Sequence, residues 1–271
     1  MVRFRKHLVF EFFFVGFART SMNGIYESVA ENIPQPDLLF FNYGFWEPGL
    51  DDSWILPAHA RYRHHLNLVK HLLAGVDLHG KAVLEVGCGR GGNCCYLSRY
   101  SKAARVVGLD LCTPNLALAR ENPDLKRVEF LAGDAQQLPF ADSCFDVILN
   151  LESSHCYSEF DKFVAEVARV LKKPGLFCFA DLWNVDVLEL DWQAREQALK
   201  NSALEIIAEE NISEQVFQAM GLAGSISEQL NALAAVENQS LIARINRGVE
   251  ALRAGLATGD YSYRLWRLRK P

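Results

Sequence analysis

Residues 83–92 read Val-Leu-Glu-Val-Gly-Cys-Gly-Arg-Gly-Gly, an apolar run that ends in an acid and a cluster of glycines. The segment that follows, Asn93–Tyr100, is predicted to be a helix. A strand that runs into a glycine-rich turn and a helix N-terminus is how α/β sheets hold nucleotide-like ligands, because N–H groups at the helix start can face the ligand. Gly87 and Gly89 are expected to let the backbone approach that ligand closely. Dinucleotide-binding proteins share this plan, so the turn alone does not identify the ligand.

Polar residues mark the ends of five apolar segments that alternate with predicted helices between residues 83 and 181. This alternation favours a parallel sheet with right-handed crossovers, which is an α/β fold. Ligands of such sheets bind outside the carboxyl ends of the strands. The sequence therefore predicts one ligand site at that edge, although an acid that ends a strand can also be an ordinary loop residue or helix cap. The five residues are Glu85, Asp110, Asp134, Asn150 and Asp181.

The ordered series of motifs resembles class I S-adenosylmethionine-dependent methyltransferases over residues 55–183. A closer likeness is to small-molecule O-methyltransferases of natural-product and lipid pathways, such as the phthiotriolone and rebeccamycin sugar O-methyltransferases. That likeness rests on Leu149–Tyr157, Ala180–Leu182 and Asp260–Arg264. The resemblance implies a Rossmann-like sheet of seven strands with helices on both faces and a helical lid.

The chain is expected to form a single domain with four regions. Helices are predicted over 185–220 and 227–256, and Tyr261–Leu268 alternates like the seventh strand. The sixth strand has only a weak candidate, near Ala232–Val236. The regions are an N-terminal arm or lid over 1–55, a cofactor-binding core over 56–183, a helical lid or insertion over 184–256, and a terminal strand over 257–271.

Carried over to this chain, the resemblance implies a site for S-adenosylmethionine. Glu85 would lie near the ammonium group of the cofactor, Asp110 would bind its ribose, and Asp134 would hold its adenine. A nicotinamide-dinucleotide site would not account for the segment Gly133-Asp134-Ala135. The implied cofactor-binding residues are Tyr43, Trp46, Glu85, Gly87, Cys88, Gly89, Asp110, Leu111, Asp134, Ala135, Gln136 and Asn150.

Two of these residues belong to an aromatic segment of the arm, Asn42-Tyr-Gly-Phe-Trp46. The segment resembles a motif that closes over the cofactor in related enzymes. Tyr43 and Trp46 could lie against the sulfonium, since an aromatic face favours positive charge. The alternative, which the sequence supports equally, is that these two residues only pack the arm against the core.

His155 is the predicted general base. An aliphatic hydroxyl is a poor nucleophile unless a base takes its proton, and an imidazole titrates near neutrality. His155 follows the fourth predicted strand, and it aligns with the catalytic histidine of the sugar O-methyltransferases. Asp181 aligns with the partnering acid, which either orients the imidazole or binds an adjacent hydroxyl. A purely structural histidine is the alternative, and Glu152 is a further candidate for a catalytic or a cofactor-side role.

Aromatic residues are dense in the regions before and after the core, which favours a lipophilic, hydroxylated small-molecule acceptor such as a polyketide, lipid or decorated aglycone. The predicted function is O-methylation of that acceptor. Two alternatives stay open. One is C-methylation of a prenyl or sterol-like chain, and the other is a cofactor-binding cyclase or non-catalytic partner subunit.

Composition narrows the classes of partner. The 271 residues carry a formal charge of −5 and show no basic helix, so no nucleic-acid partner is predicted. The seven cysteines form no C-x-x-C pair and the seven histidines show no ligand spacing, so the sequence predicts a cytoplasmic protein without a metal. An oligomer remains open.

The N-terminus contains an apolar stretch, Leu8–Ala18, that is interrupted by Glu11. It is too short to span a bilayer as a helix. We expect either a segment that covers the substrate or touches a membrane surface, or a helix packed on the core.

Overall fold

The computed structural model describes residues 22–35, 38–184, 192–234 and 239–271. Its centre is one seven-stranded sheet with the order β3-β2-β1-β4-β5-β7-β6. Strands β1 to β5 run parallel, whereas β7 is antiparallel to both of its neighbours. The predicted α/β class and Rossmann-like sheet are therefore confirmed. The strands are β1 (Ala82–Val86), β2 (Arg105–Asp110), β3 (Val128–Ala132), β4 (Phe145–Leu151), β5 (Leu171–Asn184), β6 (Glu205–Asn211) and β7 (Tyr261–Lys270).

Nine α-helices are described in these ranges. None of them is both long enough and apolar enough to cross a bilayer. Short 3-10 helices occupy Pro57–Tyr62, Pro123–Leu125 and Ser154–Cys156. The α-helices are α1 (Met22–Asn32), α2 (Arg63–Leu72), α3 (Gly92–Tyr100), α4 (Thr113–Glu121), α5 (Phe160–Val170), α6 (Trp192–Asn201), α7 (Ser213–Met220), α8 (Ile226–Ala234) and α9 (Gln239–Thr258).

The sheet is covered on both faces, which explains why β1 is apolar at every position except Glu85. Successive side chains of a strand point to opposite faces. Accordingly, Val83 belongs to one buried cluster, together with Leu66 of α2. Leu84 belongs to the other, together with Phe163 of α5. Sheets buried on both faces need apolar residues at every position rather than at alternate ones.

The sixth strand lies elsewhere than the sequence predicts. It is formed by Glu205–Asn211, within the segment expected to be helical over 185–220, and the region around Ala232 belongs to α8. The sequence Glu-Ile-Ile-Ala-Glu-Glu-Asn has mixed helix and strand propensity. Backbone pairing with β7 along the whole segment makes it a strand, and cross-strand ion pairs add to that pairing: Glu205 with Arg269 at 2.6 Å and Glu210 with Arg267 at 2.8 Å.

All seven cysteines are free thiols. Three expectations about the chain as a whole remain predictions: its location, its oligomeric state and its contact with a membrane. The cytoplasmic location and the oligomeric state are not tested by the fold. The apolar stretch Leu8–Ala18, with its proposed membrane contact, lies outside the described residues.

Candidate active site

A cavity lies at the carboxyl ends of β1 to β4. The order of the strands in the sheet reverses there, between β1 and β4. This is the usual ligand position in open α/β sheets. The cavity measures about 1040 Å³ when it is counted out to its open mouth. Eight of the predicted cofactor-binding residues line it: Gly87, Cys88, Gly89, Asp110, Leu111, Asp134, Ala135 and Gln136.

Two glycines of the turn after β1 have side chains of the opposite wall packed closely against them. Gly87 has φ 75° and Gly89 has φ 53°, in the left-handed region that favours glycine. A Cβ atom at Gly87 would lie 2.2 Å from Ser153 Oγ, and one at Gly89 would lie 3.2 Å from the Phe41 ring. A side chain at Gly87 would therefore clash with Ser153, and one at Gly89 would crowd Phe41, so the glycines allow the turn to lie close against the opposite wall.

Two acids of the cavity wall, Asp110 and Asp134, are held by backbone donors. Asp110 accepts hydrogen bonds from the N–H groups of Gly89 at 2.6 Å and Cys112 at 2.8 Å. Burial raises the pKa of Asp110, although these N–H donors lower it. Asp134 accepts a hydrogen bond from the N–H of Gln136 at 2.8 Å. Asp134 Oδ1 also accepts a hydrogen bond from Nε2 of Gln136 at 3.1 Å, whereas Oδ2 of Asp134 and both oxygens of Asp110 keep lone pairs, so both acids can accept hydrogen bonds from ligand hydroxyl or amino groups.

Glu85 and Asn150 lie behind the cavity wall. Glu85 is fully buried and accepts hydrogen bonds from Asn93 Nδ2 at 2.7 Å and Cys94 Sγ at 2.9 Å. Burial raises the pKa of Glu85 to about 7, against the lowering effect of these two donors. Asn150 donates to the carbonyl of Val86 at 2.9 Å and joins the ends of β1 and β4. Glu85 therefore acts on the cavity through Asn93, which does line it.

The arm contributes other aromatic residues than the ones predicted. Tyr43 and Trp46 are not in the cavity wall, whereas Tyr26 of α1 and Phe41 are. Their rings meet edge to face, with centroids 6.1 Å apart. The N–H of Tyr43 instead donates to Glu152 Oε1 at 2.9 Å. Phe41 directly precedes the aromatic segment Asn42–Trp46, so the sequence could have indicated that it lies in the cavity wall. Tyr26 lies in a segment without a motif, and nothing in the sequence pointed to it.

His155 and Asp181 form a hydrogen-bonded pair beside the cavity. His155 Nδ1 lies 2.9 Å from Asp181 Oδ1, and the two side chains are 13% and 0% exposed. A carboxylate only accepts hydrogen bonds, so Nδ1 carries the proton and Nε2 is the nitrogen that can take one up. Burial lowers the pKa of His155, but the charges of Cys156 and Asp181 outweigh it and hold that pKa well above 6.5.

Asp181 is itself fixed from several sides. Its Oδ2 accepts hydrogen bonds from Ser154 Oγ at 2.6 Å and from the N–H of His155 at 3.1 Å. Arg195 of α6 donates to the carbonyl of Ser154 at 2.9 Å and holds the loop from the other side. Burial raises the pKa of Asp181, but the His155 charge and the hydrogen bonds from His155 and Ser154 bring it below its usual value. The pair is therefore rigid.

Glu152 stands in the cavity wall directly after β4 and has φ 52°, a left-handed conformation that is uncommon for a residue with a side chain. Its Oε1 accepts hydrogen bonds from Tyr263 Oη at 2.6 Å and from the N–H of Tyr43. Burial raises the pKa of Glu152 to about 8, although these donors lower it. Backbone strain of this kind is concentrated at functional sites.

Arg90 connects the glycine turn to the arm. The side chain is 2% exposed, and its Nη2 donates to the carbonyls of Ile33 at 2.8 Å and Val29 at 3.2 Å. These carbonyls lie at the C-terminal end of α1, where the backbone donors of the helix run out, although Val29 still accepts the N–H of Ile33 at 2.9 Å. Nε donates to Asn115 Oδ1 of α4 at 3.2 Å. Arg90 thus holds α1 over the cavity.

A cluster away from the cavity contains metal-ligand residue types. The ligand atoms of His59, Cys95 and Asp124 lie within 4.8 Å of one another. His59 Nε2 is 3.0 Å from Asp124 Oδ2 and its Nδ1 is 2.6 Å from Tyr100 Oη, so protein atoms serve both nitrogens. The three residues are distant in sequence, which is why no spacing revealed them. The absence of a metal stays a prediction.

Comparison with known proteins assigns the chain to a family. Residues 84–179 match the family described as a methyltransferase domain. The chain is 36% identical over 204 residues to a fatty-acid O-methyltransferase of Mycolicibacterium smegmatis, which covers 75% of this chain and 73% of that one. It is 36% identical over 196 residues to a phthiotriol/phenolphthiotriol dimycocerosates methyltransferase of Mycobacterium tuberculosis, which covers 72% and 71%.

Solved structures share the fold at lower identity. The cyclase SpnF superposes with a TM-score of 0.69 at 21% identity, covering 92% of this chain and 95% of that one. A geranyl diphosphate methyltransferase in complex with GPP and sinefungin superposes with a TM-score of 0.67 at 16% identity, covering 93% and 99%. Given the identity and coverage of its curated relatives, the chain belongs to the class I S-adenosylmethionine-dependent methyltransferases, and S-adenosylmethionine is its cofactor.

Proposed function

We propose that the protein is an O-methyltransferase that methylates a hydroxyl group of a lipophilic small molecule, with His155 as general base. The observation that supports this most directly is the His155–Asp181 pair beside the cavity, with Nδ1 held by the carboxylate. The relatives support a lipid-like acceptor, since one is named for fatty acids and the other for phthiotriol dimycocerosates.

The cavity residues suggest how the cofactor is held. Gly87 would border the methionine part, Asp110 the ribose hydroxyls and Asp134 the adenine amino group. Bound in this way, S-adenosylmethionine supplies an electrophilic methyl group on a sulfonium. The methyl would face the end of the cavity formed by Glu152 and Cys156, next to His155.

His155 would remove the proton that the acceptor hydroxyl loses as its oxygen bonds to the methyl carbon. Asp181 keeps Nδ1 protonated, so the proton goes to Nε2. The raised pKa makes His155 a stronger base, but it also keeps part of the population protonated at neutral pH. The positive charge of the bound cofactor opposes a second positive charge nearby, so cofactor binding favours the neutral, basic form.

The charges around the cavity favour a hydroxyl acceptor over a carboxylate. Within the described residues, the cavity wall contains Asp110, Asp134 and Glu152 and no lysine or arginine. Asp181 lies close behind it. A fatty-acid carboxylate placed among these acids would find no lysine or arginine in the described wall, and its attraction to the sulfonium or to protonated His155 would compete with that of Glu152 and Asp181. A neutral hydroxyl avoids the repulsion from these acids.

The test is product analysis with two acceptors of equal chain length, a long-chain secondary alcohol and a fatty acid. Each is incubated with the protein and methyl-labelled S-adenosylmethionine, and the position of the label is determined by NMR. We expect a methyl ether from the alcohol and little ester from the acid. Methyl ester alone would contradict the hydroxyl acceptor, and a carbon-bound methyl would favour the C-methyltransferase alternative. The same incubation is repeated with a lipid extract as the source of acceptors. If neither the two pure acceptors nor the extract gives a labelled product, a cyclase or a non-catalytic role is favoured.

A further inference from the structure

Glu152 is an acid in the cavity wall that the proposed transfer step does not use. It lies at the end of the cavity opposite Asp134, next to Ser153 and Cys156. Its hydrogen bonds to Tyr263 Oη and the N–H of Tyr43 fix the carboxyl in place from β7 and from the arm. Position and orientation are therefore set by elements from both ends of the chain.

The carboxyl of Glu152 makes no ion pair with a described side chain. His155 is near enough to lower the pKa of Glu152, but its ion pair, at 2.9 Å, is made with Asp181. Withdrawing a carboxylate from water without a cation is costly, and a strained backbone at the same residue adds to that cost. Such an acid is explained if a cation arrives with the ligand.

We propose that Glu152 is the counter-charge of the cofactor's sulfonium, so that the site prefers S-adenosylmethionine to the product S-adenosylhomocysteine. The two molecules differ by one methyl group and one positive charge on sulfur. Asp110, Asp134 and the glycine turn would meet the same groups in both molecules and cannot tell them apart. A carboxylate at the transfer end of the cavity can, because only the sulfonium attracts it. Loss of that attraction after transfer would promote release of the product.

The groups that face Glu152 determine how this preference depends on pH. They are Tyr43 from the arm, Tyr26 from α1, Tyr263 from β7, Asp181 from β5, and His155. Burial, reinforced by Asp181, raises the pKa of Glu152 to about 8, so in the free protein much of it is neutral at pH 7. A positively charged ligand would drive its ionisation and release a proton. A neutral ligand would not.

The test is calorimetric binding without any methyl acceptor, so its result does not depend on whether the proposed O-methylation is correct. The ligands are S-adenosylmethionine, S-adenosylhomocysteine, and sinefungin, which carries an ammonium group where the cofactor has its methyl sulfonium. For Glu152→Gln we expect affinity for the two cationic ligands to fall about tenfold or more, and affinity for S-adenosylhomocysteine to change by less than about twofold. Retained binding of S-adenosylhomocysteine also shows that the variant is folded.

The matched control is Asp134→Asn at the adenine end, which should weaken all three ligands by a similar factor. Measurements in two buffers of different ionisation enthalpy at pH 7 should show proton release with the cationic ligands and much less with S-adenosylhomocysteine. Tyr263→Phe removes one donor to the carboxylate and should move the preference to higher pH. Equal losses for charged and neutral ligands in Glu152→Gln, or no loss for either, would overturn the proposal.

Discussion

The side chain of His155 leads to a direct prediction about turnover. Replacing it with alanine removes the proposed base and leaves the cofactor-binding wall in place, because His155 itself does not line the cavity. We expect His155→Ala to lower turnover by about 100-fold or more. Binding of S-adenosylhomocysteine, measured by calorimetry, should be nearly unchanged. A variant with close to full turnover would mean that positioning of the acceptor provides most of the catalysis.

The same residue predicts the pH dependence of the reaction. A base must be neutral to act, and the pKa of His155 is raised by Cys156 and Asp181 against the effect of burial. The value of kcat/KM should therefore rise with pH through a midpoint above 6.5 and then level off. Asp181→Asn removes the negative charge and should move the midpoint down by about one pH unit or more. An unchanged midpoint in this variant would contradict the assignment of the midpoint to His155.

At the residue scale, strand ends are what the sequence allows one to predict. Glycines and acids that follow apolar runs fall at the carboxyl edge whatever the rest of the chain does, and Gly87, Asp110 and Asp134 are in the wall. Side-chain direction is harder to predict, because it depends on how far a strand extends and on what packs behind it. Glu85 and Asn150 are in the predicted strands, but they point into the layer behind the wall.

At the scale of elements, α1 depends on a single side chain of the core. Arg90 donates to two carbonyls at the C-terminal end of α1 from a position that is nearly inaccessible to solvent. The Val29 carbonyl keeps the N–H of Ile33 as a donor, but Arg90→Met should leave the Ile33 carbonyl without its Arg90 donor and lower the free energy of unfolding by about 1–3 kcal/mol. Hydrogen exchange should accelerate in residues 22–35, and denaturant titration should show the loss.

The control for this prediction is Arg105→Gln. Arg105 is 44% exposed and pairs with Glu129, which is 59% exposed, at the surface of β2 and β3. Loss of that pair should change the free energy of unfolding by less than about 1 kcal/mol. If both arginine variants have the same small effect, α1 is held mainly by its apolar contacts.

Elements with a strong local pattern were predictable, and elements stabilised by distant charges were not. β1 and β2 are apolar at almost every position because the sheet is covered on both faces, and that pattern is visible in the sequence. β6 has a helix-compatible sequence and becomes a strand because it pairs along β7, far along the chain, where its glutamates also meet arginines. The contacts of the arm are equally non-local, which is why the sequence points to Tyr43 whereas Tyr26 lies in the wall.

At the scale of the whole molecule, the cavity wall is assembled from the arm, α1 and four strand ends, so a bound ligand should stabilise all of them together. A ligand that binds only the folded protein adds about 2.7 kcal/mol to the free energy of unfolding at 100 times its dissociation constant. We expect S-adenosylhomocysteine to have this effect and to slow hydrogen exchange in residues 22–35 as well as at the strand ends. At the same ligand concentration, Asp110→Ala should gain much less stability, because the proposed ribose contact is gone. Slower exchange confined to the strand ends, with α1 unaffected, would show that the arm does not close on the ligand and that Tyr26 and Phe41 contribute little to binding.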